Sequence, residues 1–175
     1  MKQNVYTPLI QHSNEVFSDE TPHTNVFLGG TIDNGDSENW QDALIKTLDW
    51  IEFKYQVNIF NPRREEWPSS DDHNEINKQI DSELEHLERS NIIVMNILEN
   101  SKSPISLMEI GLFARTGKLM VFCTEEFYRY DNVRKVCERY DVKLFNTNDV
   151  AFIADRLTRM IGVDDDAMDK KINQA

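Results

Sequence analysis

Cysteine is scarce in this chain. Cys123 and Cys137 are the only two among 175 residues, one in a predicted strand and one in a predicted helix. That excludes a disulfide framework and a structural zinc site, and the expected setting is reducing and cytoplasmic. The four histidines do not cluster with these cysteines, so no metal and no cofactor is expected. Long apolar runs are missing too: none approaches the roughly 18 residues of a membrane span. The opening Met1-Lys2-Gln3-Asn4 lacks the charged and apolar regions of a signal peptide. Positive charge is in short supply, with 19 Lys and Arg against 31 Asp and Glu, a net charge of −12. Duplex nucleic acid calls for a basic stripe, and none is present, so neither nucleic acid nor membrane is an expected partner. The acidity itself reads as solubility. A phosphorylated small molecule stays compatible with it, because one local pair of arginines can bind an anion whatever the total charge.

What is present is an alternation of short apolar runs and amphipathic stretches. The predicted strands are Val26–Gly30, Val57–Phe60, residues 91–98, Lys118–Cys123 and Val142–Phe145. Between them, apolar residues recur at helical spacing: Trp40, Leu44, Leu48 and Ile51, then Ile76, Ile80, Leu84 and Leu87, then Leu107 to Ala114, then Val133, Val136 and Cys137. A last helix is predicted from near Asp149, with Phe152, Leu157 and Ile161 on its apolar side. Strands alternating with helices in this way predict one doubly wound α/β domain, Rossmann- or flavodoxin-like, with a mostly parallel five-stranded sheet. It is expected over residues 25–162. Residues 1–24 read as a loose extension packed on the domain or on a second subunit, and 163–175 as a frayed polar tail.

Chemistry-bearing residues gather at the predicted carboxyl ends of strands, where open α/β sheets bind ligands. Gly29-Gly30-Thr31-Ile32-Asp33 follows the first strand and Asn61-Pro62-Arg63-Arg64 the second. The glycines let backbone approach backbone or a ligand. The arginines either fork onto a phosphate or carboxylate, or hold the loop by pairing with Glu65, Glu66 or Asp33. After the third strand comes Ser106-Leu107-Met108-Glu109-Ile110-Gly111-Leu112, one carboxylate in an otherwise apolar helix. Ser106 and Glu109 have capping-box spacing, which would put Glu109 in the first turn, held ionised by the helix dipole. An ionised, desolvated carboxylate there is also a competent nucleophile towards a sugar carbon. Retaining glycoside chemistry asks for a second carboxyl group about 5–5.5 Å away, with Glu83, Asp33 and Glu99 as the available partners. Glu83 is expected at the edge of its helix's apolar stripe, roughly 55° from the centre.

Taken in order, Val26-Phe27-Leu28-Gly29-Gly30-Thr31-Ile32-Asp33, Trp40-Gln41, Asn61-Pro62-Arg63-Arg64, Gln79-Ile80-Asp81-Ser82-Glu83, Ser106 to Ala114, and Arg129 to Val133 resemble the nucleoside 2-deoxyribosyltransferase-like family. The resemblance spans residues 25–146. It implies an enzyme, a nucleoside deoxyribosyltransferase or nucleotide N-glycosidase, that breaks the N-glycosidic bond of a nucleoside or its monophosphate. Glu109 would attack C1′, and transfer to another base or to water would follow. Glu83 would serve the leaving base, where family members commonly carry Asp. Gly29, Gly30 and Thr31 would contact the substrate, together with Asp33, Trp40, Asn61, Arg63, Arg64 and Ser106, and Trp40 and the aromatics at 127–130 would face the base. The family implies a homodimer or higher homo-oligomer, with Asn132 as the residue lent to a neighbour's site. Pro104-Ile105-Ser106 replaces the family's Ser-Gly-Thr, and Ile97-Leu98-Glu99-Asn100 replaces its Asp-Gly. Those departures leave the second acid among Glu83, Asp33 and Glu99, and they motivate an alternative, a catalytically inactive nucleotide sensor on the same fold.

Overall fold

The computed structural model describes residues 3–6, 23–64 and 72–162. Among them run β1 (Asn4–Tyr6), β2 (His23–Gly30), α1 (Trp40–Leu48), β3 (Gln56–Phe60), α2 (His73–Arg89) and β4 (Ile92–Ile97). There follow α3 (Pro104–Phe113), β5 (Leu119–Cys123), α4 (Tyr130–Tyr140), β6 (Lys143–Phe145) and α5 (Val150–Ile161). The five expected strands are all present, and every pairing is parallel. The sheet order is β1-β3-β2-β4-β5-β6. The sixth strand is an addition: Asn4–Tyr6 pairs along β3 at the sheet edge. Its three residues are too few to show a period of two, so the sequence pattern reads as loose chain there. Gln3 ties the same segment down, its Nε2 donating to Ile45 O at 3.1 Å and Asp49 Oδ1 at 2.7 Å. The expectations for 7–22 and for the 163–175 tail lie outside the described residues.

Both faces of the sheet are covered, which is why its central strands read as unbroken apolar runs. One face buries Phe27, Ile93, Met95, Ile97 and Val121 with residues of α2, α3 and α4. The other buries Val26, Leu28, Val94 and Phe122 under α1 and α5. Between them these layers hold both cysteines, free and buried in the first cluster. The chain leaves β2 towards β3 on one side and leaves β4 towards β5 on the other, although β2 and β4 are hydrogen-bonded neighbours. The carboxyl ends of β2 and β4 therefore flank the switch point at which doubly wound sheets form their ligand crevice.

Two helices depart from the pattern. The expected inward face of α2 was Ile76, Ile80, Leu84 and Leu87, but Ile80 and Leu84 are 48% and 37% exposed. The helix is turned so that Gln79, Glu83, His86 and Leu87 point in. His86 packs on Phe60 with ring centroids 4.3 Å apart, and only Leu87 is fully buried. Polar contacts at the sheet's end override the apolar stripe. The second departure is the start of α3. Its N-cap is Ser103, in the left-handed region (φ 43°, ψ 48°), with Pro104 opening the helix. Proline at the first helical position is itself a start signal, and it outranks the Ser106–Glu109 spacing. Glu109 thus lies in the second turn, beyond the dipole's reach, and there is no capping box.

Candidate active site

Glu109 is 7% exposed, on the face of α3 turned to the core, with buried Ser106 one turn ahead of it on the same face. Burial pushes its carboxyl up to about 8, with the charge of Glu83 adding to the shift. This corrects the expectation that the helix terminus holds Glu109 ionised: at neutral pH the buried side chain keeps its proton. Glu83 is raised as well, by burial, while a hydrogen bond from Gln79 and the charge of Arg64 pull the other way. The Gln79 amide donates to Glu83 Oε1 at 2.7 Å and orients that carboxylate. The fold therefore sets two carboxyl groups, from α2 and α3, within each other's field. An ionised Glu83 opposes the ionisation of Glu109.

The other two acids are placed differently. Asp33 accepts from Ser101 Oγ at 2.7 Å, and Glu99 is exposed. Asp33 ends a chain of hydroxyls that crosses the switch point. Ser103 N donates to Ser101 Oγ at 3.0 Å, the Ser101 and Ser103 hydroxyls are 2.9 Å apart, and Thr31 Oγ1 lies 2.6 Å from Ser103 Oγ. Leu98 N donates to Thr31 Oγ1 at 2.9 Å. Each hydroxyl has one proton. Ser101 gives its proton to Asp33, so Ser103 gives to Ser101 and Thr31 gives to Ser103. All three protons are committed inside the protein. Ser101 and Ser103 were not foreseen; the one sequence signal was Ser103 directly before Pro104, a position whose backbone is restricted.

The glycine loop is also internally engaged. A Cβ on Gly30 would lie 2.2 Å from Asn96 O, and Gly30 has φ +127°; a Cβ on Gly29 would meet the Met95 side chain at 2.6 Å. Of the two readings of these glycines, close approach of backbone to backbone is the one with contacts. Thr31 N continues the strand contact to Asn96 O at 2.9 Å.

The Asn61–Arg64 turn divides its work. Asn61 Oδ1 accepts from Arg63 N at 3.0 Å, closing the turn. The Arg63 guanidinium donates to Gly35 O at 2.7 Å, Ser37 O at 2.6 Å and Glu38 O at 3.1 Å, bracing the loop that leads into α1. Partial burial pulls its pKa down, opposed by Asp33. Among the described residues Arg64 makes no such contacts, and its charge acts on Glu83.

Trp40 does not face a base. It is 1% exposed within the α1–α5 layer, and its Nε1 donates to Thr31 O at 3.1 Å. Phe127 is likewise core, leaving Tyr128 as the open aromatic, its hydroxyl donating to Lys102 O at 3.4 Å just before α3. Asn132 is exposed on α4, in a shallow depression of about 420 Å³ lined by Asp131, Asn132, Lys135, Val136, Arg139 and Tyr140. Among the described residues no three His, Cys, Asp or Glu side chains come together as a metal site, and no helix is long and apolar enough to cross a membrane.

Comparison with known proteins bears on this arrangement. In fold, the chain is similar to a conserved protein from Enterococcus faecalis V583, at 13% identity and a TM-score of 0.45, covering 87% of this chain and 99% of that one. No curated protein matches it. A family profile described as nucleoside 2-deoxyribosyltransferase-like matches residues 23–127, from the start of β2 to the turn before α4, and so takes in both carboxylates and the hydroxyl chain. By that match over more than half its length, the chain belongs to the nucleoside 2-deoxyribosyltransferase-like family.

Proposed function

We propose that the protein cleaves the N-glycosidic bond of a nucleoside or nucleoside monophosphate through a glycosyl-enzyme intermediate on Glu109. The observation that carries this reading is the placement of two carboxyl groups, buried Glu109 on α3 and half-buried Glu83 on α2, within each other's field, with Gln79 orienting Glu83. Displacement at C1′ needs one ionised and one protonated carboxyl group, and that is the state a coupled pair adopts between its two titrations. In the reactive arrangement Glu109 is the carboxylate. Its oxygen bonds to C1′, the C1′–N bond breaks, and the Glu83 carboxyl gives its proton to the departing base. A second base, or water, then attacks C1′ and releases Glu109. In the free protein the proton rests on Glu109. Positive charge developing on the sugar favours ionised Glu109, and the basic nitrogen of the leaving group favours protonated Glu83, so substrate moves the proton across the pair. Asp33, Ser101, Ser103 and Thr31 position the turn before α3 and hence Glu109.

The same reading includes a homo-oligomer. The outer face of α3 carries Ile105, Met108 and Leu112, 57%, 55% and 57% exposed, and α3's one charged residue, Glu109, points inward. Two copies with a net charge of −12 each repel least across a surface without charge, which favours this face for their contact.

The test is a panel of deoxynucleosides and ribonucleosides and their 5′-monophosphates, with and without free acceptor base. Base release, together with a glycosyl adduct on Glu109 in the intact mass, is expected from the wild type and from neither Glu109→Gln nor Glu109→Ala. Tight nucleotide binding without turnover would instead establish the inactive sensor.

A further inference from the structure

α2 turns a polar edge inward and leaves apolar side chains outside. Ile80 and Leu84 are 48% and 37% exposed, while Gln79, Glu83 and His86 take the inward positions. Burying the two aliphatic side chains is the favourable choice for a helix on a sheet, so the hydrophobic effect does not account for this orientation. What the orientation achieves is a hydrogen bond. Gln79, one turn before Glu83, donates its amide Nε2–H to Glu83 Oε1 at 2.7 Å. Both side chains are half-buried. Solvent therefore competes less for this bond than for the exposed pairs of the same helix, Lys78 with Glu75 and Arg89 with Glu85.

An amide nitrogen can only donate. The oxygen it meets has to accept, and a carboxyl oxygen that carries a proton accepts poorly. Protonated Glu83 thus keeps its hydrogen on Oε2, with Oε1 towards Gln79. The bond has a second consequence. The same donor bonds a carboxylate more strongly than a neutral acid. The Gln79 bond therefore tightens as Glu83 loses its proton, which is the moment of transfer to a leaving group. An interaction stronger in the transition state than in the ground state accelerates the step. An apolar residue at position 79 supplies neither the orientation nor this gain.

We propose that Gln79 is a positioning residue for bond cleavage: it fixes the proton of Glu83 on Oε2, aims it at the leaving base and favours its departure. The proposal rests on the glycosidic reading of Glu109 and Glu83 and deepens it by naming what sets the acid. As Glu109 bonds to C1′, the electron pair of the C1′–N bond passes into the base. The proton leaves Glu83 Oε2 for a nitrogen of that base, and Glu83 remains as a carboxylate held by Gln79. Gln79 matters only where the base needs a proton. A purine nucleoside methylated at N7 carries positive charge on its base, which leaves as a neutral molecule without one.

The experiment compares wild type, Gln79→Met, Gln79→Ala and Glu83→Gln on the best purine deoxynucleoside of the panel and on its N7-methyl form, with thermal melts to confirm that each variant is folded. Both Gln79 variants should lower the ratio of kcat for the unmethylated to that for the methylated substrate by about tenfold to a hundredfold. Glu83→Gln should lower it at least as far. A purely structural Gln79 slows both substrates alike, and an unchanged ratio overturns the proposal. Carbon-13 carboxyl NMR of the free protein is the second readout. The other titratable and charged groups on this side are Glu109 from α3, Arg64 after β3 and His86 on α2 itself, and all three are kept in Gln79→Met. Loss of the donor should move the Glu83 titration upward, and an unmoved titration overturns the proposal whatever the rates. A wild type that cleaves neither purine form overturns it as well. Base release from another member of the panel then leaves the glycosidic reading standing, and release from none shows that this reading has failed too.

Discussion

Replacing Glu109 by Gln should stabilise the protein, and increasingly so as pH rises. Gln has the shape of a protonated Glu and never ionises, so it isolates what burial does to this carboxyl. In the folded chain the group titrates near 8 instead of 4.5. Between those values the native state binds a proton that the unfolded state has lost, so wild-type stability falls with rising pH across that window. At about 1.36 kcal/mol per pH unit the full span is an upper bound of roughly 5 kcal/mol, and relaxation around the charge reduces it to about 2–4 kcal/mol. Below pH 4.5 wild type and variant carry the same uncharged group and should differ by less than about 1 kcal/mol. The gap should open from pH 5, reach its plateau just above pH 8, and correspond there to roughly 5–15 °C in Tm for a chain of this size. Urea midpoints for both proteins from pH 4 to 9 measure it, and the difference between them cancels every other titrating group. A gap that does not vary with pH, or a variant less stable than wild type at pH 9, refutes the assignment of a buried proton to Glu109.

Activity should respond to the same proton. With the singly protonated pair as the reactive form, kcat/KM is expected to rise as the first carboxyl ionises and to fall above about pH 8; a rate that keeps climbing through pH 9 would show that Glu83 donates no proton. Gly30→Ala, which drives a Cβ onto Asn96 O at a φ of +127°, should cost at least about 2–4 kcal/mol in urea unfolding, because backbone on both strands has to move. Leu112→Glu puts a charge on the apolar face of α3, and sedimentation velocity should show a smaller assembly than the wild type under the same conditions. Equal sedimentation coefficients would place any contact between copies elsewhere.

The sheet was legible because its signals are local. Apolar runs such as Ile92–Ile97, buried along their whole length, can be read without knowing what covers them, and their alternation with helices specified a doubly wound topology. The candidate carboxylates were legible as residues, but their surroundings were not. Glu109 and Glu83 stand out as carboxylates in or beside apolar stripes, yet the stripe of α2 was misjudged. Its inward face carries His86 against Phe60, a contact between residues distant in sequence. The Ser106–Glu109 cap failed for a local reason, since Pro104 had already started the helix. The equivalence of Arg63 and Arg64 could be broken only by the loop at 35–38 folding back onto the first of them.

The sequence by itself determined the order and type of the main elements, the strand ends at which polar residues gather, and the acidic side chains available there. These follow from periodicity, turn residues and composition, which each segment carries alone. Tertiary structure decided which two carboxylates act on each other, that burial raises the Glu109 carboxyl to about 8, that the hydroxyls of Thr31, Ser101 and Ser103 run along one chain to Asp33, and that of the two arginines Arg63 braces the 35–38 loop. Desolvation and hydrogen-bond satisfaction depend on what surrounds a group in space, and groups such as Glu83 and Glu109, on different helices, come within each other's field only when α2 and α3 pack on the same face of the sheet.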